Sequence, residues 1–284
     1  MFISIFNNFL SQIFFFIVLI GAVGYLISIC NKLFYTLTGN AQAICYATGI
    51  IGTPIHELAH ASMCVVFMHR IEDISLFRIG DDGVLGYVEH SYNERNIYQR
   101  IGNYFIGVAP IVLGGGVLLL AMNFLAPDMY KEFSEYIEAF AILQSGGVGF
   151  EWIAYAFVVL RGTFVAIING LGNPETMWYL FIVVALCIAL HMNLSGADIR
   201  GSLSALPWLV GILAAVNLVL GFIFPRAYVG FVSAMSMAGG YLSGMLMISL
   251  IFSLFALLVA GLIKGGAIAV KNLPSVLKNL PIKK

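Results

Sequence analysis

Charge is what this chain has least of. Only 10% of its 284 residues are Asp, Glu, Lys or Arg, against about 25% in a soluble globular domain. Formal net charge is zero, so no excess of basic charge points to a nucleic-acid partner. Cysteine is scarce as well: Cys30, Cys45, Cys64 and Cys187 fall in or beside apolar segments without C-x-x-C spacing. They read as packed thiols, not disulfides or zinc ligands. No Lys or Arg precedes the first apolar stretch and no small-residue cleavage site follows it. That stretch therefore reads as a first transmembrane helix and not as a removed signal peptide. Internal repeats and low-complexity tracts are also missing.

What fills the space is hydrophobic sequence, 61% of the chain. Apolar runs of about 20 residues, long enough to cross a bilayer, recur along it. They predict an all-α polytopic membrane protein: one membrane-embedded domain over residues 1–284, with about six transmembrane helices. The expected spans are Phe9–Cys30, Ala41–Met68, Asn103–Ala126, Met177–Met192, Ala205–Phe224 and Tyr228–Leu262, the last long enough to tilt or break at Gly239-Gly240. Pro127–Gly149 reads as an amphipathic surface helix. Residues 152–169 are apolar but short, with Arg161 at their centre, and either cross the bilayer or lie in its interface. Residues 264–284 form a basic tail.

The polar region His69–Arg100 separates the second and third spans. Ile71–Ile79 partly alternates, Asp81-Asp82-Gly83 is a turn signal, and Val84–Val88 follows. This predicts a small β-hairpin after the second span, in preference to an irregular loop. Loop charge then suggests an orientation. If residues 152–169 do not cross, both termini are cytoplasmic. Arg70, Arg78, Arg95, Arg100, Arg200 and the five tail lysines then lie inside, with Lys32, Lys131, Arg161 and Arg226 outside. The expectation is a multi-pass protein of the plasma membrane.

The second span carries Thr53-Pro54-Ile55-His56-Glu57-Leu58-Ala59-His60. On a helix, His56 and His60 share one face and can hold one metal ion. Glu57 sits on the same turn, in the zinc-hydrolase pattern H-E-x-x-H. Pro54 would loosen the helix just before it. Catalytic zinc needs three protein ligands and an open position. Asp198 is the best third candidate, because an acid at membrane depth is costly unless paired or metal-bound. Against that, Asp198 could simply pair with Arg200 or cap the next helix. His191, Glu175 and Glu151 are the other candidates. His191 would share a face with Asp198 if the helix ran through both, as third ligand, as donor to a ligand, or as oxyanion stabiliser. Asn193 is a candidate substrate contact, while His69 and His90, flanking the hairpin, read as surface residues.

The chemistry these residues allow is peptide hydrolysis. Zn2+ would acidify a water and polarise the scissile carbonyl. Glu57 would accept the water proton and return it to the leaving amine. The partners expected are the lipid bilayer and a membrane-spanning protein substrate, with the active site toward the cytoplasmic half. Two other readings stand beside it: a catalytically silent membrane metal-binding or chaperone-like protein, and a transporter using buried His and Asp as an ion relay.

The chain resembles the site-2 protease family of intramembrane zinc metalloproteases over about Ala41–Phe224, the expected catalytic core. The likeness rests on His56-Glu57-Leu58-Ala59-His60, the hairpin-like insertion, Phe105-Ile106-Gly107-Val108-Ala109-Pro110, and Asp198. It implies Asp198 as third zinc ligand and cleavage of membrane-spanning regulators or leftover signal peptides. No Gly directly follows Asp198, and the third span lacks the family's Gly before Pro and Asn after it. These departures mark a divergent branch.

Overall fold

The computed structural model describes residues 2–39, 41–80, 83–144, 161–162, 164–165, 167–169 and 176–278. The chain is mostly helical, with one two-stranded antiparallel sheet. It opens on a helix from Phe2 to Thr38, made of α1 (Phe2–Ile13), a π-turn at Phe14–Val18, and α2 (Leu19–Thr38). A π-turn displaces the backbone ladder by one residue. Within it the Phe16 carbonyl accepts a hydrogen bond from the Tyr104 hydroxyl. Gly39, at φ 71°, ends α2 in the left-handed conformation that glycine adopts without penalty.

Helix α3 (Ala41–Val66) carries the histidine motif. Pro54 lies inside it and the helix continues through, so the expected loosening does not break it. At its end, His69 N–H bonds to the Cys64 carbonyl and Met68 N–H to the Val65 carbonyl. This is a Schellman closure, with Met68 at φ 57° where glycine is usual. The turn aims the chain into β1 (Arg70–Ser75), which pairs antiparallel with β2 (Tyr87–Ser91). The register shifts between Ile71 and Asp73, a bulge that bends the strand. Side-chain bonds from Tyr87 to Asp73 (2.7 Å) and from Ser91 to Glu72 (2.6 Å) reinforce the pairing. The expected turn residues Asp81 and Asp82 lie outside the described residues.

Helix α4 (Ile97–Leu125) begins at Asn96, whose side chain accepts from the Tyr98 and Gln99 amides. It packs against α3, α6 (Thr176–Leu190), α7 (Gly196–Ile223) and α8 (Pro225–Lys278). Ile111, Leu118 and Met122 of α4 are buried in the core with Ile27, Phe181, Ile188, Leu246 and Phe252. Helix α5 (Pro127–Gln144) lies where the surface helix is expected and packs on α8. A buried polar clamp joins α1, α7 and α8: Asn217 donates to Gln12 (2.7 Å), Tyr228 donates to Asn217 (3.2 Å), and Asn8 donates to Tyr228 (3.3 Å). Such interhelical bonds are how polar groups are kept at membrane depth.

Among the described residues, four helices are long and apolar enough to cross a membrane: Phe2–Thr38, Ile97–Leu125, Gly196–Ile223 and Pro225–Ala267. Their outer faces expose Leu120, Phe124, Leu203, Ile223 and Leu262, apolar surface suited to lipid. Helix α6 is apolar but shorter, and α3 is diluted by Gln42, Thr48, Thr53, His56, Glu57, His60 and Ser62. Several boundaries differ from expectation: the first helix runs Phe2–Thr38 and not Phe9–Cys30, and α4 starts at Ile97 and not Asn103. Helix α7 starts at Gly196 and not Ala205. Helix α8 runs unbroken through Gly239-Gly240 to Lys278, so Lys264, Lys271 and Lys278 are helical and not a loose tail. Most of residues 152–169, together with 145–151, 175 and 279–284, lies outside the described residues.

Candidate metal centre

One helical turn separates His56 from His60, so their imidazoles lie side by side, edge to face, along one face of α3. Their Nε2 atoms lie 3.2 Å apart. Each Nδ1 faces a backbone carbonyl: His56 Nδ1 lies 2.7 Å from the oxygen of His191, and His60 Nδ1 lies 2.8 Å from that of Ile106. A carbonyl can only accept, so both Nδ1 atoms carry the hydrogen and both Nε2 atoms of neutral rings are bare. Two lone pairs facing each other at this distance repel unless a cation lies between them.

The third donor comes from α7. Asp198 Oδ1 lies 3.5 Å from His60 Nε2. Its other oxygen, Oδ2, accepts from the Ser195 backbone N–H at 2.7 Å, while Ser195 Oγ accepts from the Asp198 N–H at 3.1 Å. This is a reciprocal capping box at the start of α7. Of the alternatives for Asp198, the helix cap is present at one oxygen, while the other faces the histidines. The ligand atoms of His56, His60 and Asp198 all lie within 4.8 Å of one another. Donors at zinc distances of about 2.0–2.1 Å and tetrahedral angles would be about 3.3–3.4 Å apart. Two edges of the group, 3.2 and 3.5 Å, bracket that value, so this His-His-Asp group could hold a metal ion, with imidazole and carboxylate donors of the kind zinc accepts.

Glycines let the backbones close to these distances. A Cβ on Gly107, next to Ile106, would sit 2.6 Å from the Asp198 carbonyl oxygen and 2.2 Å from Ser202 Oγ. A Cβ on Gly52 would sit 2.2 Å from the Cys187 carbonyl, where α3 meets α6. Both contacts are small-residue approaches of the kind that bring membrane helices together.

The centre opens into a cavity of about 440 Å³ lined by His56, Glu57, His60, Asn103 and Asp198, and by Gly86, Tyr87, Val88 and His90 of the hairpin. Glu57 is 7% exposed. Gly86 lies directly over it, since a Cβ there would be 2.7 Å from Glu57 Cγ. Two residues expected at the surface are placed differently. His69 is buried and His90 lines the cavity. The sequence offers no periodicity that would place either, because His69 depends on the start of α4 and His90 on the hairpin folding back onto α3. Burial holds both imidazoles below the ordinary histidine value, and for His90 a charge on His69 would oppose a second one. Asn103 also lines the cavity.

His191 enters through its backbone. Helix α6 ends at Leu190 and α7 starts at Gly196, so no continuous helix carries His191 and Asp198 on one face. The His191 ring bonds the Cys187 carbonyl (3.0 Å), and its Nε2 is buried with no hydrogen-bond partner among the described residues. It is not part of the donor group. Asn193 accepts from Asn31 (3.1 Å) and donates to the Leu190 carbonyl (3.3 Å). It therefore secures the α6–α7 link to α2 and does not line the cavity. Glu151 and Glu175 lie outside the described residues.

Comparison with protein-family models, with curated proteins and with solved structures finds no match in any of the three. The functional reading of this chain therefore rests on its own geometry.

Proposed function

We propose that the chain is an intramembrane zinc metalloendopeptidase that hydrolyses a peptide bond in a membrane-spanning protein. The observation that carries this reading is the donor triangle of His56, His60 and Asp198, opening on the same cavity as Glu57. His56 Nε2, His60 Nε2 and Asp198 Oδ1 would hold the metal. A zinc ion there would supply Lewis acidity to a water and to the scissile carbonyl. The Glu57 carboxylate takes the proton from the attacking water and returns it to the leaving amine nitrogen. The His191 and Ile106 carbonyls keep both imidazoles turned toward the metal.

A substrate helix has its carbonyls tied in its own ladder, so it must unwind to react. Among the described residues strand β2 has β1 on one side only, and its other edge can pair with the extended segment. Counting α3 and α6 with the four long apolar helices gives six crossing segments. The excess of Lys and Arg then lies on the cytoplasmic side, and α3 runs inward with the centre toward that half. We read the protein as multi-pass in the plasma membrane.

The test is Glu57→Gln in detergent-purified protein. It should abolish cleavage across a panel of single-span substrates while keeping about one zinc per chain and the wild-type melting profile. Cleavage by this variant at the wild-type rate would show that the mechanism is wrong.

A further inference from the structure

His69 and His90 form a second imidazole pair beside the centre, and their partners fix the hydrogens on both rings. His69 Nε2 lies 2.7 Å from the Gln99 carbonyl, so that nitrogen carries the hydrogen. In a neutral His69 the other nitrogen, Nδ1, is then bare. It lies 3.1 Å from His90 Nδ1, which must supply the hydrogen between them. A neutral His90 is left with an unprotonated Nε2 on the ring edge away from His69. Burial favours the neutral form of both rings.

The pair is held firmly. His69 stacks on Tyr92 at 4.9 Å and 16°, and Gly102 packs close to its Nε2. His90 sits on β2 opposite Ile71. Val88 and His90 share one face of that strand and both line the cavity, together with Tyr87 and, just before the strand, Gly86, so the start of β2 forms part of its wall.

We infer that His90 is a further substrate-contacting residue, which His69 holds with Nδ1 protonated so that Nε2 accepts a backbone N–H of the bound peptide. The inference rests on the peptidase reading. An acceptor at this wall favours an amide N–H and repels a carbonyl. It therefore sets which backbone group of an extended segment faces β2, and with it the register of the scissile bond over Glu57. His69 is a positioning residue that acts through His90.

Two measurements on the full chain in micelles test this. The first is the ¹⁵N spectrum of histidine-labelled protein, which needs no variant. His90 should show a protonated Nδ1 and a bare Nε2, His69 the reverse, and His69→Phe should release His90 into tautomer exchange. A protonated Nε2 on His90 in the neutral, unmodified protein overturns the inference whatever the activity. The second is binding of a labelled synthetic single-span peptide, Leu-rich with a central Gly-Pro break, to the Glu57→Gln protein. Adding His90→Phe should weaken binding about tenfold, whereas His90→Gln, whose amide oxygen still accepts, should stay within about threefold. Equal loss in both variants, or none in His90→Phe, overturns the inference and leaves the peptidase reading standing. Failure of the peptide to bind the Glu57→Gln parent overturns both.

Discussion

Replacing Gly107 with alanine tests whether close approach of α4 and α7 is what completes the centre. The new Cβ would lie 2.2 Å from Ser202 Oγ and 2.6 Å from the Asp198 carbonyl oxygen. The serine hydroxyl can rotate away. The carbonyl cannot, because it belongs to the first turn of α7. Relieving the contact even to the 3.0–3.4 Å of the tightest real Cβ neighbours requires a shift of roughly 0.4–0.8 Å, typical of overpacked sites that cost about 1–3 kcal/mol. Metal–ligand distances tolerate only about 0.2 Å. Asp198, carried on the displaced turn, would move off the histidines, and we expect zinc affinity to fall about 10- to 100-fold. Chelator competition on detergent-purified protein measures it, with a melting curve to confirm the fold. Gly116→Ala is the control on the same helix. Among the described residues nothing lies within 4 Å of its added Cβ, so it should be neutral or stabilise by up to about 1 kcal/mol. A folded Gly107→Ala protein that binds zinc as tightly as wild type would refute the reasoning.

Two further outcomes are expected. Ser195→Ala removes the hydroxyl half of the capping box and should destabilise the start of α7 by about 1 kcal/mol, seen as faster hydrogen exchange at residues 197–199; unchanged exchange would mean that the cap carries no weight. Lowering the pH should loosen the hairpin. Folded His69 and His90 are held below the ordinary value of about 6.5 by burial, with the Gln99 carbonyl and, across the cavity, Asp198 opposing that shift. The detached hairpin therefore binds more protons below that pH. Docking should be constant above it and weaken as pH falls below it, measured as amide protection of Tyr87–Ser91; protection that holds or rises on acidification would contradict this.

The helices are readable because apolar runs are their direct signature, and the hairpin because its turn residues and alternation are local. The same locality explains the errors. The apolar run of α7 begins at Ala205, and hydropathy alone starts the helix there. Its true start is marked by a different signal, Ser195 followed three residues later by Asp198, the capping-box spacing. His56, Glu57 and His60 are legible because one helical turn assembles them. Asp198 is legible only as a costly acid, since its approach depends on Gly107. His90 carries no signal, because a tertiary fold-back of β2 brings it to the cavity. His191 carries a misleading one: its ring draws notice, but its backbone oxygen meets His56, a contact open to any residue type there.

The Asp198 carboxylate has one oxygen on the backbone of α7 and the other facing the histidines. A cation held at Oδ1 and an ordered first turn of α7 are consequently linked by reciprocity: each raises the stability of the other by the same free energy. Withdrawing the cation would loosen the cavity wall at residues 195–201, and fraying of that turn would release the cation. Loss of a metal held there would then be felt as a change in the shape of the cavity beside it.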